Sequence, residues 1–158
     1  MNITVISVGK IKEKYFTAAI DEYSKRLSRF VKLNMIEVAD EKIPDNASDK
    51  EMEQIKEKEG DKILAKIPSN SFVVTLCIEG KEHSSEELAK KIADISMTSS
   101  SITFIIGGSL GLSDTVKNKS ALRLSFGRMT LPHQLMRVVL LEQIYRAFKI
   151  NNNGSYHK

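Results

Sequence analysis

The sequence predicts an α/β fold, with a mostly parallel sheet of five to six strands and helices on both faces. Three observations carry this reading. Short β-branched apolar runs alternate five times with segments of helical periodicity between Ile3 and Ile150. Ser48 with Glu51, and Ser84 with Glu87, mark two helix starts by capping-box spacing. The apolar run Ile102–Ile106 stops at Gly107-Gly108, as a strand feeding a turn does. At 158 residues the chain is read as one domain, 1–158, large enough to bury a core without disulfide or metal staples.

Taken in order, Ile3–Val8 is apolar and β-branched, a buried strand. Glu13–Arg29 carries Phe16, Ala19, Ile20, Tyr23 and Leu27 at helical spacing. Val31–Val38 alternates Val31, Leu33 and Met35 with polar residues, a second strand, and the polar stretch Asp40–Asn46 with Pro44 is a loop. A charged helix runs from Ser48 to about Ile67, weakened in its middle by Gly60. Ser71–Ile78 is a third strand, Ser84 opens a helix through Leu88, Ile92 and Ile95, and Ile102–Ile106 is a fourth strand. A short helix from Ser113 and a fifth strand over Leu122–Phe126 lead to a long helix, Pro132–Ile150. No internal repeat or linker interrupts this order, and Asn151–Gly154 is a polar joint before the last residues.

The last helix is apolar nearly all round, with Leu135, Met136, Val138, Val139, Leu140, Leu141, Ile144, Tyr145, Ala147 and Phe148 covering its circumference. A surface helix shows an apolar stripe on one side only. The expectation is a symmetric homodimer that buries this helix against its mate; the alternative is a central core helix in a monomer.

Composition narrows the classes. Hydrophobic residues make up 41% and charged residues 28%, which fits a globular protein and excludes general disorder. The single cysteine, Cys77, excludes an intrachain disulfide and a cysteine metal cluster. The first ten residues lack the basic start and apolar run of a signal peptide, and no stretch approaches a membrane span, so the expected address is the cytoplasm with no membrane partner. Net charge is +4 but uneven: from Thr115 onward eight Lys or Arg face one acid, whereas Glu37–Asp61 holds ten acids and four bases. The basic region is either a solvated face or a nucleic-acid surface, the latter if its residues converge on one site.

Standard motifs are missing. There is no P-loop, no dinucleotide-binding glycine fingerprint after the first strand and no nucleophile elbow, and His83, His133 and His157 lack metal-ligand spacing, so no metal is expected. What remains is a set of strand ends, where open α/β sheets bind ligands: Leu76–Gly80, Gly107–Gly111 and Phe126–Pro132. Their glycines let backbone amides and carbonyls approach a cofactor. Cys77 reads as a small buried hydrophobe rather than a nucleophile. His133, Arg137 and Arg146 ride on the apolar helix, where they either pair with acids such as Glu142 or serve a ligand. Tyr156, His157 and Lys158 offer stacking and hydrogen bonding suited to an RNA base.

Several blocks together resemble the ribosomal large subunit methyltransferase H family. They are the start Ile3–Lys10, Leu76, the run Phe104–Leu112, the block Met129–Val138, Glu142–Ala147 and the terminal Tyr156-His157-Lys158. The likeness covers the whole chain, and its Leu-Pro-His block joined to a Tyr-His terminus is highly specific. It implies a SPOUT-class fold with a carboxy-terminal trefoil knot, active as a homodimer. It implies methyl transfer from S-adenosylmethionine to N3 of a pseudouridine in 23S rRNA within the assembled ribosome. The implied cofactor pocket falls on Leu76, Gly107, Phe126, Gly127, Arg128, Met129, Thr130 and Leu131. The sequence departs from the family pattern at Cys77, where an acidic residue is expected directly after the leucine.

For the chemistry, the expectation is that Arg146, Tyr156 and His157 surround the target base as catalytic residues, with His157 the candidate proton acceptor because its ordinary pKa is ~6.5. Arg137, His133 and Lys158 are expected to contact substrate phosphates or carbonyl oxygens. Two other classes remain open: a non-catalytic ribosome-binding dimer that retains the fold, and a small-molecule enzyme using another nucleotide in the same cleft.

Overall fold

The computed structural model describes residues 1–153 and Ser155. In chain order its elements are β1 (Asn2–Val8), α1 (Lys14–Leu27), β2 (Lys32–Val38), α2 (Asp49–Leu64), β3 (Phe72–Glu82), α3 (Ser85–Ser96), β4 (Ser101–Ile106), α4 (Asp114–Lys119), β5 (Leu122–Ser125) and α5 (His133–Asn151). The strands form one sheet in the order β2-β1-β4-β3-β5. Every pairing in it is parallel. The expected five-to-six-stranded sheet thus has five strands among the described residues, and the strand order places their carboxyl ends at a common edge.

Period-two alternation divides the core. Ile3 and Val5 of β1, with Ile102 and Phe104 of β4, face α1, α3 and α5, where they meet Leu27, Ile92, Leu140 and Ile144. Ile6 and Val8, with Ile105, face the opposite way onto Ile63 of α2 and Val116 of α4. Burying each such side chain contributes roughly 1.5–3 kcal/mol. Successive helices therefore alternate sides because β1 and β4 are apolar on both faces.

The helix starts follow their caps. Ser48 and Ser84 each form a complete capping box, accepting from the Glu51 and Glu87 amides at 3.1 Å while those carboxylates accept from the cap amide. Ser113 caps α4 from the Val116 amide at 3.3 Å. Gly60, an anomaly in the sequence of α2, has a tertiary reason: a Cβ there would stand 2.6 Å from the Ser113 hydroxyl. Glycine is what lets α2 pass the start of α4.

Two departures bear on the site. β3 runs past its expected end at Ile78 to Glu82, and both Leu76 and Lys81 oppose Leu124 of β5. The register shifts between these two pairings, leaving Cys77–Gly80 as a long bulge opposite Leu124. The second concerns α5, which lies between α1 and α3 and exposes no residue fully from His133 to Ile150. One side is deep in the core through Leu140, Leu141, Ile144 and Ala147, whereas Leu135 and Val139 are half-buried and belong to neither core cluster.

Candidate active site

The three strand ends singled out in the sequence converge on one cleft of about 400 Å³ at the carboxyl edge of the sheet. Leu76 and the bulge residues Cys77–Glu79 form one wall, the Gly107–Leu112 turn a second, and the Phe126–Leu131 segment a third, with His133 and Met136 of α5 at the base. This volume suits a nucleoside-sized ligand.

The glycine turn is built for close approach. A Cβ on Gly107 would lie 2.8 Å from the Gly111 carbonyl carbon, and Gly111 itself holds φ +84°. Gly108 and Gly111 bridge each other, and the Gly111 amide donates to the Gly108 carbonyl at 3.1 Å. A side chain is excluded at Gly107 by contact and disfavoured at Gly111 by its φ, so at these positions the backbone itself faces the cleft, while Leu110 and Leu112 add apolar side chains to the same wall. Opposite, Ser125 ties the other two walls together: its hydroxyl donates to the Ile78 carbonyl at 2.9 Å and accepts from the Gly127 amide at 3.1 Å.

Charge in the cleft comes from the bulge and from α4. Lys117 pairs with Glu79 at 2.5 Å, and this hydrogen bond holds the Glu79 carboxyl below its ordinary pKa. The carboxylate is thus ionised at neutral pH, and more than half of its side chain is exposed. Cys77 stands between the leucine and this acid. Burial pushes its thiol up, and the Glu79 charge adds to the effect, so the protonated form is held at neutral pH and the cysteine is no nucleophile. The acidic function expected directly after Leu76 is offered instead by Glu79, two residues further on, because the bulge turns it into the cleft.

Of the residues expected to line a cofactor pocket, Leu76, Gly107, Phe126, Gly127, Met129, Thr130 and Leu131 do line the cleft. Arg128 is exposed and is not part of the wall. His133 lines the cleft and is half-buried; burial, with the Arg137 charge beside it, lowers its pKa, so it is a neutral imidazole at pH 7.

Arg137, expected to contact substrate phosphates or carbonyl oxygens, is only 1% exposed, and its guanidinium donates to Glu37 at 2.7 Å and to the Val8 and Gly9 carbonyls at 3.0 and 2.8 Å. The side chain is committed in this way to β2 and the end of β1. Arg146 takes the pairing weighed for it: it donates to Glu142, one helical turn back, at 2.6 Å, and both are mostly buried. Tyr156, His157 and Lys158 lie outside the described residues.

Sequence reasoning named Leu110 within the Gly107–Gly111 strand end but passed over Lys117, Leu112 and Met136 as cleft residues. Leu112 directly follows that strand end and was legible from it. Lys117 reaches the cleft only because α4 packs beside the β3 bulge, and nothing in the local pattern signals that. Among the described residues no group of three or more His, Cys, Asp or Glu is placed to hold a metal ion, and no helix is long and apolar enough to cross a membrane.

The comparisons with known proteins agree with this geometry. The family model described as "Predicted SPOUT methyltransferase" matches residues 1–157. A protein of Clostridioides difficile (strain 630) named ribosomal RNA large subunit methyltransferase H is 61% identical over 159 residues, covering all of both chains. Proteins of that name from Clostridium novyi (strain NT) and Latilactobacillus sakei subsp. sakei (strain 23K) are 60% and 57% identical over the same extent. The solved structure titled "The structure of a probable methylase family protein from Haemophilus influenzae Rd KW20" superposes with a TM-score of 0.55 at 14% identity. It covers 99% of this chain and 70% of that one, a likeness of fold alone. A full-length family match, with relatives near 60% identity across their whole length, leaves one assignment: this chain belongs to the SPOUT methyltransferase family.

Proposed function

We propose that this protein transfers a methyl group from S-adenosylmethionine to N3 of a pseudouridine in large-subunit rRNA, acting as a homodimer on the assembled ribosome in the cytoplasm. The observation that carries the reading is the cleft, where a glycine-rich turn, an apolar wall and an ionised Glu79 converge at the strand ends. The family and its named relatives support the reaction class and the rRNA substrate. They also carry the expectation of a carboxy-terminal trefoil knot.

The residues present fit the cofactor. Leu76, Leu110 and Met136 supply apolar walls for an adenine ring, and the Gly107–Gly111 backbone supplies amides and carbonyls for its edge. Glu79 offers a carboxylate for the ammonium or the ribose hydroxyls. When bound, S-adenosylmethionine supplies an electrophilic methyl on a sulfonium, which leaves as a thioether when the new N–CH₃ bond forms. The protein's part is alignment, which can supply roughly 7–11 kcal/mol of the barrier.

The N3 imide must give up its proton during attack, and His157 is the proposed acceptor, with Tyr156 and Arg146 around the base. The Glu142–Arg146 ion pair supports that role by holding the guanidinium at a defined place on α5. The dimer is supported by Leu135 and Val139, half-buried apolar residues of α5 outside either core cluster.

The deciding experiment is transfer of labelled methyl to ribosomes from a strain lacking this protein. Label confined to one large-subunit pseudouridine is the expected result. Absence of label with ribosome binding intact would favour a non-catalytic ribosome-binding dimer.

A further inference from the structure

The turn between β1 and α1 has no part in the cleft wall, yet it is built as carefully. Lys10, Lys12 and Lys14 are all exposed, and none has an acidic partner among the described residues. Tyr15 follows with 66% of its surface in water, its ring set edge-on against Phe16 at 4.6 Å. Three unpaired cations beside an exposed aromatic ring resist a purely structural reading, since the tyrosine buries little and the lysines pair with nothing.

The backbone beneath these side chains is held at several points. The Ile11 amide donates to Glu37 at 3.2 Å and the Lys12 amide to Gln134 at 3.3 Å, while Arg137 clasps the Val8 and Gly9 carbonyls. Gln134 and Arg137 belong to the first turns of α5, which directly follow the Phe126–Leu131 wall. The turn also begins at the cleft's rim, because a Cβ on Gly9 would lie 4.0 Å from the ring of His133. A held backbone that starts at His133 of the cleft therefore leads into three exposed lysines, with one acid, Glu13, among them, and an exposed aromatic ring.

We propose that Lys10–Tyr15, the β1–α1 turn with the first two residues of α1, is an RNA-contact arm of the site. Lys10, Lys12 and Lys14 hold phosphates of the unpaired rRNA strand that leads into the cleft, and Tyr15 stacks on one of its bases. The proposal rests on the rRNA reading above but is tested by binding, which needs no turnover. Phosphate contacts give salt dependence, and stacking on an aromatic ring tolerates any base, so the arm adds affinity while the cleft selects the target nucleotide.

The test is binding of the full-length protein to ribosomes from a strain lacking it, over a series of salt concentrations, with labelled-methyl transfer measured in parallel. In the triple reversal Lys10→Glu, Lys12→Glu and Lys14→Glu, the slope of log affinity against log salt should fall by about 2, as the loss of three single-strand phosphate contacts predicts. The KM for ribosomes should rise at least tenfold while S-adenosylmethionine affinity and kcat stay near wild type. Tyr15→Ala should weaken ribosome binding roughly 5- to 100-fold, and Tyr15→Trp should restore it. If the reversal variant lost its fold, the neutral Lys10→Gln, Lys12→Gln and Lys14→Gln variant would be read in the same way. A wild-type salt slope and KM in a folded variant would overturn the arm and make these lysines a solvated face. Wild-type protein that transfers no methyl would instead overturn the methyltransferase reading, while the salt slope would still decide the arm.

Discussion

One nitrogen of the Arg137 guanidinium donates to the carbonyl of Gly9 at 2.8 Å and to that of Val8 at 3.0 Å, joining the first turns of the last helix to the end of the first strand. The two residues stand 128 positions apart, and the contact closes the carboxyl edge of the sheet where the cleft lies. Arg137 is thus a strut. Its Nε is buried and has no partner among the described residues, so the geometry favours the carbonyl and Glu37 contacts over full satisfaction of the side chain.

Removing that strut leaves two buried carbonyls unpaired, while Glu37, being nearly half exposed, turns to water. Arg137→Ala should cost about 3 kcal/mol of unfolding free energy, read by urea denaturation. Arg137→Lys should recover little of it, since one ammonium cannot reproduce the planar fork. A loss under about 0.5 kcal/mol, the range of an ordinary surface change, would show that the strut carries no weight.

Gly107→Ala places a methyl group 2.8 Å from the backbone of Gly111. The turn must open, and calorimetric S-adenosylmethionine affinity should drop at least tenfold. The melting temperature should change far less, because Gly107 itself belongs to neither core cluster. Unchanged affinity would remove the glycine turn from the cofactor site.

At Gly60 a general rule should reverse sign. Glycine to alanine in a helix interior usually stabilises by up to ~1 kcal/mol. Here the added carbon meets the Ser113 hydroxyl at 2.6 Å and Val116 at 3.1 Å, at the cap of α4. Gly60→Ala should therefore destabilise by about 1–3 kcal/mol as an overpacked site, and Gly60→Ala with Ser113→Gly should recover part of the loss in a double-mutant cycle.

Glu59 supplies a pH test. It is 6% exposed beneath the glycine turn, and burial, reinforced by the Asp40 and Glu41 charges, raises its pKa above the ordinary 4.5. The folded chain therefore binds this proton more tightly than the unfolded chain. The stabilising contribution is complete below pH 4.5 and is lost as pH rises through the folded value. Glu59→Gln keeps an acceptor for the Glu41 amide, now at 2.9 Å, without the buried charge. The variant should melt higher than wild type at pH 7–8, with the difference shrinking toward pH 4; a difference constant with pH would mean that the carboxyl titrates normally.

Val139→Asp tests the dimer. Placing a charge on the half-buried side of α5 outside the core clusters should leave a folded chain of 17.7 kDa in light scattering, where wild type should give twice that mass. Wild type at the single-chain mass would mean that α5 is simply a central helix, and a variant that kept twice that mass would show a dimer that does not use Val139.

Much of the architecture was legible because it is written in local terms. The apolar runs at Ile3–Val8 and Ile102–Ile106 can only be strands buried on both faces, and the capping boxes at Ser48 and Ser84 name their own helix starts. The cleft walls were legible too, since strand-end glycines mark where backbone meets ligand. The bulge at Cys77–Gly80 was not, because it depends on the register between β3 and β5, which no local pattern encodes. Nor was the burial of Arg137: an arginine on an apolar helix reads the same whether it meets phosphate or a carbonyl.

The sequence by itself determined the parallel α/β class, the order of elements and the three segments that form the cleft, because propensity, periodicity and glycine placement act over a few residues. Only the tertiary structure decided that Glu79 rather than residue 77 carries the acid of the cleft, that Lys117 pairs with it, and that Arg137 braces the sheet edge. Those outcomes depend on strand register and helix packing between residues tens of positions apart, where the partner, not the residue type, sets what a side chain does.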